Sequence, residues 1–355
     1  MNYAALSLTL ALGMSQAYAQ QLPSVKPTGG LWDSGAGFQF DLKPKKALKT
    51  RQSLSGMACT LNAQQQRLCL MVFDEGAQAR YALVGDNALA IDPETVQFRG
   101  IDGELDAEGA ATDGRYFYVT GSHSAKRSDC SSNPASRHVI RLSLDPATGR
   151  ALRSPPGAAK GSLVDYADSG RLWSIMQSQP ELQAYVGERK CLGGTQQGIN
   201  IEGLAVQDGH LYFGFRGPVS QGAAPVLTVD ADAFFKGGGP QATVTRIALG
   251  ERRGIRDMVA VKTGLLLLGG PDDDAGSQTT VAWTVSWWDG KSSPNVVQPK
   301  RLATLDLSGV KLRACDEKIK PEALTVLAET PQAYQLLVLS DGLCDGGPLS
   351  FTIPR

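Results

Sequence analysis

Three glutamates, an arginine and a serine hold the same place in five similar phrases of this chain. Glu108, Glu202 and Glu322 each precede a small residue (Gly109, Gly203, Ala323) and an apolar run, and Ser55 before Gly56 and Arg256 before Asp257 do the same. Nearby stand Asp106, Ser122, His123, Asn200 and Arg216. Carboxylates with an amide carbonyl are the hard oxygen donors that calcium takes. Guanidinium groups present paired donors to a carboxylate or phosphate. A glutamate beside a histidine can move protons once burial tunes both. Glu108, His123 and Glu202 are therefore the catalytic candidates. Ser122, Asn200, Arg216, Arg256 and Asp257 are the ligand-binding candidates, and Asp106, Glu202 and Glu322 the candidate ligands of calcium or another divalent cation. The opposed reading is a structural ring, in which these charges only pair with one another.

Hairpins are the elements that would bring them together. In the clearest copy, Glu202-Gly203-Leu204-Ala205-Val206 leads through Asp208-Gly209 into Leu211-Tyr212-Phe213-Gly214-Phe215. Asp-Gly between apolar runs marks a tight hairpin, because both residues tolerate positive φ. An antiparallel hairpin sets the start of its first strand beside the end of its second. Glu202 is then expected opposite position 215, Glu108 opposite 119, and Glu322 opposite Ser340-Asp341. Asp74, Asp272 and Asp341 join the same expected rim.

Repetition at this period signals a propeller, solenoid or array. The small residues at 56, 109, 203, 257 and 323 are separated by 53, 94, 54 and 66 positions. Units of this length fit the four-stranded blades of an all-β propeller. Six blades is the expectation, with five or seven left open, because the long interval leaves room for a degenerate unit around residues 161–176. A helical insertion from Ile175 to Arg189 is the other reading of that interval. A strand at Gly37–Leu42 is expected to close the ring against the last blade. A β-sandwich and two separate β domains are the rival architectures.

Residues 1–19 read as a signal peptide ending in Ala17-Tyr18-Ala19, residues 20–50 as an N-terminal segment and residues 51–355 as the propeller. An exported protein, periplasmic or secreted, is expected. The chain carries 35 basic and 35 acidic residues, which argues against nucleic acid or an anionic membrane as partner. No stretch is long enough for an integral membrane segment. Monomer is the expected state, with a small anionic molecule or a protein as partner. The six cysteines are an even set without a Cys-x-x-Cys pair, as in a disulfide framework. Six cysteines allow 15 connectivities, all left open here; Cys59 with Cys69 and Cys315 with Cys344 each bracket one hairpin, which would leave Cys130 with Cys191. No Gly-x-Ser-x-Gly elbow and no phosphate-binding loop is present.

The phrases Asp106-Ala107-Glu108-Gly109, Gly121-Ser122-His123-Ser124, Asn200-Ile201-Glu202-Gly203-Leu204, Gly214-Phe215-Arg216-Gly217-Pro218, Gly254-Ile255-Arg256-Asp257 and Leu267-Leu268-Gly269-Gly270-Pro271 resemble the bacterial domain-of-unknown-function family thirty-six-sixteen. That family is similar in pattern to the esterase-like and phytase-like propellers. Ala107 stands where a larger apolar residue is expected, and Pro321-Glu322-Ala323 lacks the glycine. The resemblance covers roughly Ser55 to Asp341 and implies a propeller, without a reaction of its own. By analogy with the phytase-like propellers it suggests a metal-assisted hydrolase of a small anionic ester, phosphoester or lactone. A non-enzymatic propeller that binds a ligand or protein is the alternative.

Overall fold

A computed structural model describes residues 22–154, 162–193, 197–237, 239, 241–273 and 281–355. The expected signal peptide lies outside them. The described strands form five sheets, antiparallel throughout except for one short N-terminal strand. The first is Leu54–Leu61, Arg67–Phe73, Gln78–Val84 and Leu89–Gln97. The second is Ala107–Thr112, Tyr116–Gly121, Val139–Asp145 and Ala167–Ser169, with Arg150–Ala151 added to its third strand. The third is Asn200–Gln207, His210–Gly217, Ala223–Asp230 and Ala242–Ala248. The fourth runs Arg253–Val261, Gly264–Pro271, Thr284–Trp288 and Lys300–Leu305. The fifth has three strands, Lys320–Glu329, Ala333–Asp341 and Leu349–Pro354.

The first strand of each sheet touches the first strands of the sheets before and after it, so five inner strands close a ring. This is a five-bladed β-propeller, not the six-bladed one expected from the spacing. The long interval holds the strand Ala167–Ser169 and the helix Arg171–Ser178 instead of a sixth blade. Leu172 and Met176 of that helix, with Leu182 and Val186 after it, are buried against blades two and three. The expected helix from Ile175 to Arg189 is met only at residues 175–178; residues 179–189 are turns and irregular chain, and Leu182 and Val186 are buried from there rather than from a helix face.

The core is divided among the five interfaces between blades. Leu266 and Leu268 pack with Leu324, Leu336 and Val338 of blade five, whereas Leu265 and Leu267 pack with Tyr212 and Val226 of blade three. Alternate side chains of a strand face opposite sides, so a strand between two blades is apolar at every position. That is why Leu265 to Leu268 is an unbroken run.

The small residue of each phrase marks where neighbouring inner strands come closest. A Cβ on Gly109 would lie 2.8 Å from Leu204 Cβ and 2.9 Å from Glu202 O, and one on Gly203 would lie 2.8 Å from Ile255 Cγ2. On Gly56 it would meet Ala110 N at 3.0 Å and Glu108 O at 3.1 Å. At the fourth copy the contact is a hydrogen bond, from Leu324 N to Asp257 Oδ2 at 2.6 Å.

The N-terminal segment closes the ring differently from the expectation. Residues 37–42 form no strand, although Phe38 and Phe40 stack edge-on against Phe73 at 5.2 and 5.3 Å. Instead Ser24–Val25 pairs in parallel with Lys300–Leu305 of blade four. Thr28 N and Trp32 N then donate to Ser350 O and Pro348 O of blade five, and Asp33 bridges Ala88 of blade one. The segment thus straps blade four to blade one across the three-stranded blade. The disulfides are Cys59–Cys69, Cys130–Cys191 and Cys315–Cys344, the pairing that hairpin bracketing would give. No described helix is long and apolar enough to cross a membrane.

Gly109→Ala should lower unfolding stability by about 1–3 kcal/mol, because its methyl group must push two inner strands apart. Gly29→Ala, with nothing within 4 Å of the added carbon, should stay within about 0.5 kcal/mol. Urea unfolding of the two variants measures the difference, and equal midpoints would contradict this account of the ring.

Candidate active site at the channel mouth

Strand register explains why the polar residues face the channel. In blade three, pairing runs regularly from Gln207↔His210 to Gly203↔Gly214, and then Ile201 pairs with Phe215. Glu202 is skipped, so it does not oppose position 215 as the plain hairpin count expects. The same break falls at Ser55, Glu108, Arg256 and Glu322. Each of the five inner strands therefore carries a β-bulge at the same place. A bulge leaves one residue unpaired and turns the strand, which re-aims that side chain. Residues from separate blades then meet at the axis.

On one side of the axis the charges neutralise one another. Glu202 Oε1 accepts from Arg216 Nη1 at 3.0 Å, and Glu202 Oε2 lies 2.6 Å from Arg256 Nε. Arg256 Nη2 also reaches Glu322, and its Nη1 donates to Pro271 O at 3.2 Å. All four side chains are almost wholly enclosed. Burial raises the Glu202 carboxyl, opposed by the Arg256 and Arg216 guanidiniums. Asp257 lies next to this group but accepts from Met258 N at 2.7 Å as well as from Leu324 N. Both its oxygens thus hold backbone together, and burial raises its carboxyl well above the usual range.

The other side is an excess of acid. Glu108 is buried, and no hydrogen bond or ion pair to its carboxylate is found among the described residues. Burial comes first in raising it well above its ordinary value, followed by Glu202, Asp106, Glu322 and Asp74, all of its own sign. Asp74 is pushed up to about 7, first by burial and then by Asp106. Its Oδ1 is enclosed without a hydrogen-bond partner. Asp106, with φ of +54°, accepts from Ser122 Oγ, which lies 2.9 Å from Ser124 Oγ. Burial raises Asp106, while the Ser122 hydroxyl and the charge of Arg127 oppose the rise.

Asp74 and Asp106 line a cleft of about 630 Å³ with Ser124, Glu104, Lys126 and Arg127. Sequence reading did not single out Ser124, Lys126 or Arg127. Two signals were present: hydroxyls at 122 and 124, an i, i+2 pair that shares one side of an extended chain, and the basic doublet directly beyond.

Other expected site residues lie elsewhere. His123 is fully enclosed, neither ring nitrogen has a partner, and burial, then Arg137 and His138, lower it to about 3. It is therefore the uncharged imidazole near neutrality, and the charges acting on it are not those of the channel. Asn200 is buried with Oδ1 unpartnered, at the register position opposite Gly217. Asp341 pairs with Lys320. Asp272 is raised by burial and by Asp273.

The expected cation ligands Asp106, Glu202 and Glu322 do not share one coordination shell. Glu202 and Glu322 are bonded to arginines and Asp106 to Ser122. Among the described residues, the one group of three ligand atoms within 4.8 Å is Cys315, Asp316 and Cys344, whose sulfurs are joined in a disulfide. The rim as arranged does not fit a cation cage built on that triad.

Solved structures resembling this chain include a GH43 β-1,3-galactosidase with galactodeoxynojirimycin, at 10% identity and a TM-score of 0.46, covering 92% of this chain and 94% of that one. A Penicillium chrysogenum α-L-arabinanase complexed with arabinobiose is 11% identical with a TM-score of 0.39, covering 93% and 98%. The native Bacillus subtilis arabinanase is 10% identical with a TM-score of 0.37, covering 85% and 93%. Likeness at this level carries no functional information. A search of the curated proteins found no match. The family model described as "Protein of unknown function (DUF3616)" matches residues 86–146 and 153–345, and the chain belongs to that family.

Proposed function

We propose that this propeller is an exported hydrolase, periplasmic or secreted, that cleaves a small anionic ester, phosphoester or lactone in the cleft between blades one and two. The observation that carries the reading is Asp74, poised at about 7 beside Asp106 on a cleft that Lys126 and Arg127 also line. A general base works best with a pKa close to the operating pH. Asp74 takes the proton of the attacking water as the water oxygen bonds the carbonyl carbon or phosphorus, and returns that proton to the leaving oxygen as the ester bond breaks. Lys126 and Arg127 hold the anionic group, and Asp106, fixed by Ser122, orients the reacting end. Glu108, itself raised first by burial and then by Glu202, does not line this cleft and takes no step in this reading. The chain's own residues supply these roles, and no step is routed through a metal. Three disulfides are in keeping with an oxidising compartment.

A second reading is favoured by the Arg216–Glu202–Arg256–Glu322 chain, which links blades three, four and five. In it the channel residues are structural and the cleft binds a ligand without turnover. Turnover of 4-nitrophenyl phosphate, 4-nitrophenyl acetate and a simple lactone separates the two.

For the hydrolase, kcat/KM should rise with pH through about 7 and level off above it, since the base works deprotonated. Asp74→Asn should lower it on the order of a hundredfold or more and remove that limb. An unchanged rate in the variant would overturn the assignment.

Stability should move oppositely. An acid raised in the folded state favours folding fully below its unfolded pKa and loses that contribution as pH rises through about 7. Wild type should therefore lose stability relative to Asp74→Asn between about pH 4 and 8, as read by chemical unfolding at each pH.

Glu202→Gln, which breaks a buried pair, should cost about 3–5 kcal/mol of stability. A variant as stable as wild type would remove the ion-pair chain from the account of how the blades are joined.

A further inference from the structure

Away from the channel, a second cavity of about 450 Å³ lies between residues 34–39 of the N-terminal strap and residues 89–93, at the start of blade one's outermost strand. Phe38, Leu89 and Ile91 give it apolar walls, and Arg80 and Ser34 line it too. Arg80 is 8% exposed, yet among the described residues no carboxylate is paired with it; the nearby Asp92 and Glu94 pair with Arg150 instead. Its Nη1 donates to Thr95 Oγ1 and, at 3.5 Å, to Pro93 O, and its Nη2 donates to Gln39 O at 3.2 Å. Those acceptors are all neutral. Nε–H is enclosed and has no acceptor. Of five guanidinium hydrogens, two therefore have nothing to bond. Phe40 lies 4.9 Å under the guanidinium and contributes only its ring face.

The same cavity holds a second unsatisfied donor. Ser34 is 5% exposed and its hydroxyl has no partner. Asp92 is the other charged residue of the lining, but one of its oxygens bonds Arg150 and the other accepts from Glu94 N. An enclosed guanidinium cannot shed its proton to escape the cost of burial, so its environment must supply an anion. Burial already lowers its proton affinity.

We propose that this cavity binds a small carboxylate with an apolar body, its two oxygens meeting the Arg80 guanidinium and the Ser34 hydroxyl and its hydrocarbon lying on Phe38, Leu89 and Ile91. A guanidinium edge with free N–H groups matches a carboxylate in charge and in spacing. The apolar walls favour a ligand with a hydrocarbon portion over an inorganic anion, as is usual in cavities of this size. The site is separate from the cleft at the channel mouth and does not depend on the hydrolase reading.

Isothermal titration of the folded chain with octanoate, and with octanol as the uncharged control, tests this. Octanoate should bind and octanol should bind far more weakly. Arg80→Gln should weaken octanoate about ten- to a hundredfold, as expected for loss of a charge-assisted bond. Ser34→Ala should weaken it about two- to tenfold, and it keeps the test open if Arg80→Gln fails to fold, since that hydroxyl bonds nothing in the protein. Absence of octanoate binding to wild type, equal binding of octanol, or unchanged affinity in the variants would each overturn the proposal.

Discussion

Everything in this propeller depends on how closely five inner strands approach one another around the axis. At Gly56 and Gly109 the neighbour's backbone or Cβ stands where a side chain would begin, and at Gly203 the Ile255 and Met258 side chains do, so at three of the five contacts a larger residue would crowd the next strand. At the fourth, Asp257 replaces bare packing with a hydrogen bond to the next blade's backbone. Next to each of these positions one residue is squeezed out of register as a bulge. Close approach and bulge together place one polar side chain per blade in the channel. The same geometry that seals the ring thus delivers the chemistry to its mouth.

Charge is shared unequally around the ring. Blades three to five carry two arginines against Glu202 and Glu322, and each charge there finds a partner. Blades one and two contribute Asp74, Asp106 and Glu108, each raised first by burial; Asp106 comes next at Asp74 and Glu202 at Glu108, whereas Ser122 and Arg127 oppose the rise at Asp106. In a low-dielectric interior, carboxylates that face each other hold protons tightly. The first half clamps neighbouring blades together, and in the proposed hydrolase the second half is the reactive part. Asp74 is at the boundary with solvent, where a raised proton affinity can be used.

The N-terminal strap answers a different constraint. Blade five has three strands, and an uncovered outer edge would offer its backbone to any passing strand. Backbone bonds from Thr28 and Trp32 to that edge, with pairing to blade four before it and a bridge to blade one after it, cover part of it and hold first and last blades together. Passing over blade one, the strap also walls the cavity around Arg80.

Periodicity, turn chemistry and small residues were enough to make the blade legible. Asp208-Gly209 located one hairpin, and the apolar runs Leu204 to Val206 and Leu211 to Phe215 marked its two strands. Local sequence determines these because each depends on φ preference or on side-chain alternation within a few residues. The blade count was not local: the stretch between Gly109 and Gly203 could be a blade or a helix, and only packing of Leu172 and Met176 against two blades decided it. Nor could hairpin counting foresee the bulges, which arise from crowding between blades far apart in sequence. Those bulges determine which side chain meets which, pairing Glu202 with Arg256 while leaving Glu108 among acids. Sequence alone determined that polar residues would gather at one end of the ring. Tertiary structure decided which were paired with arginine, which were raised in proton affinity, and that His123 lay outside their company, because those outcomes depend on distances and burial that no single strand contains.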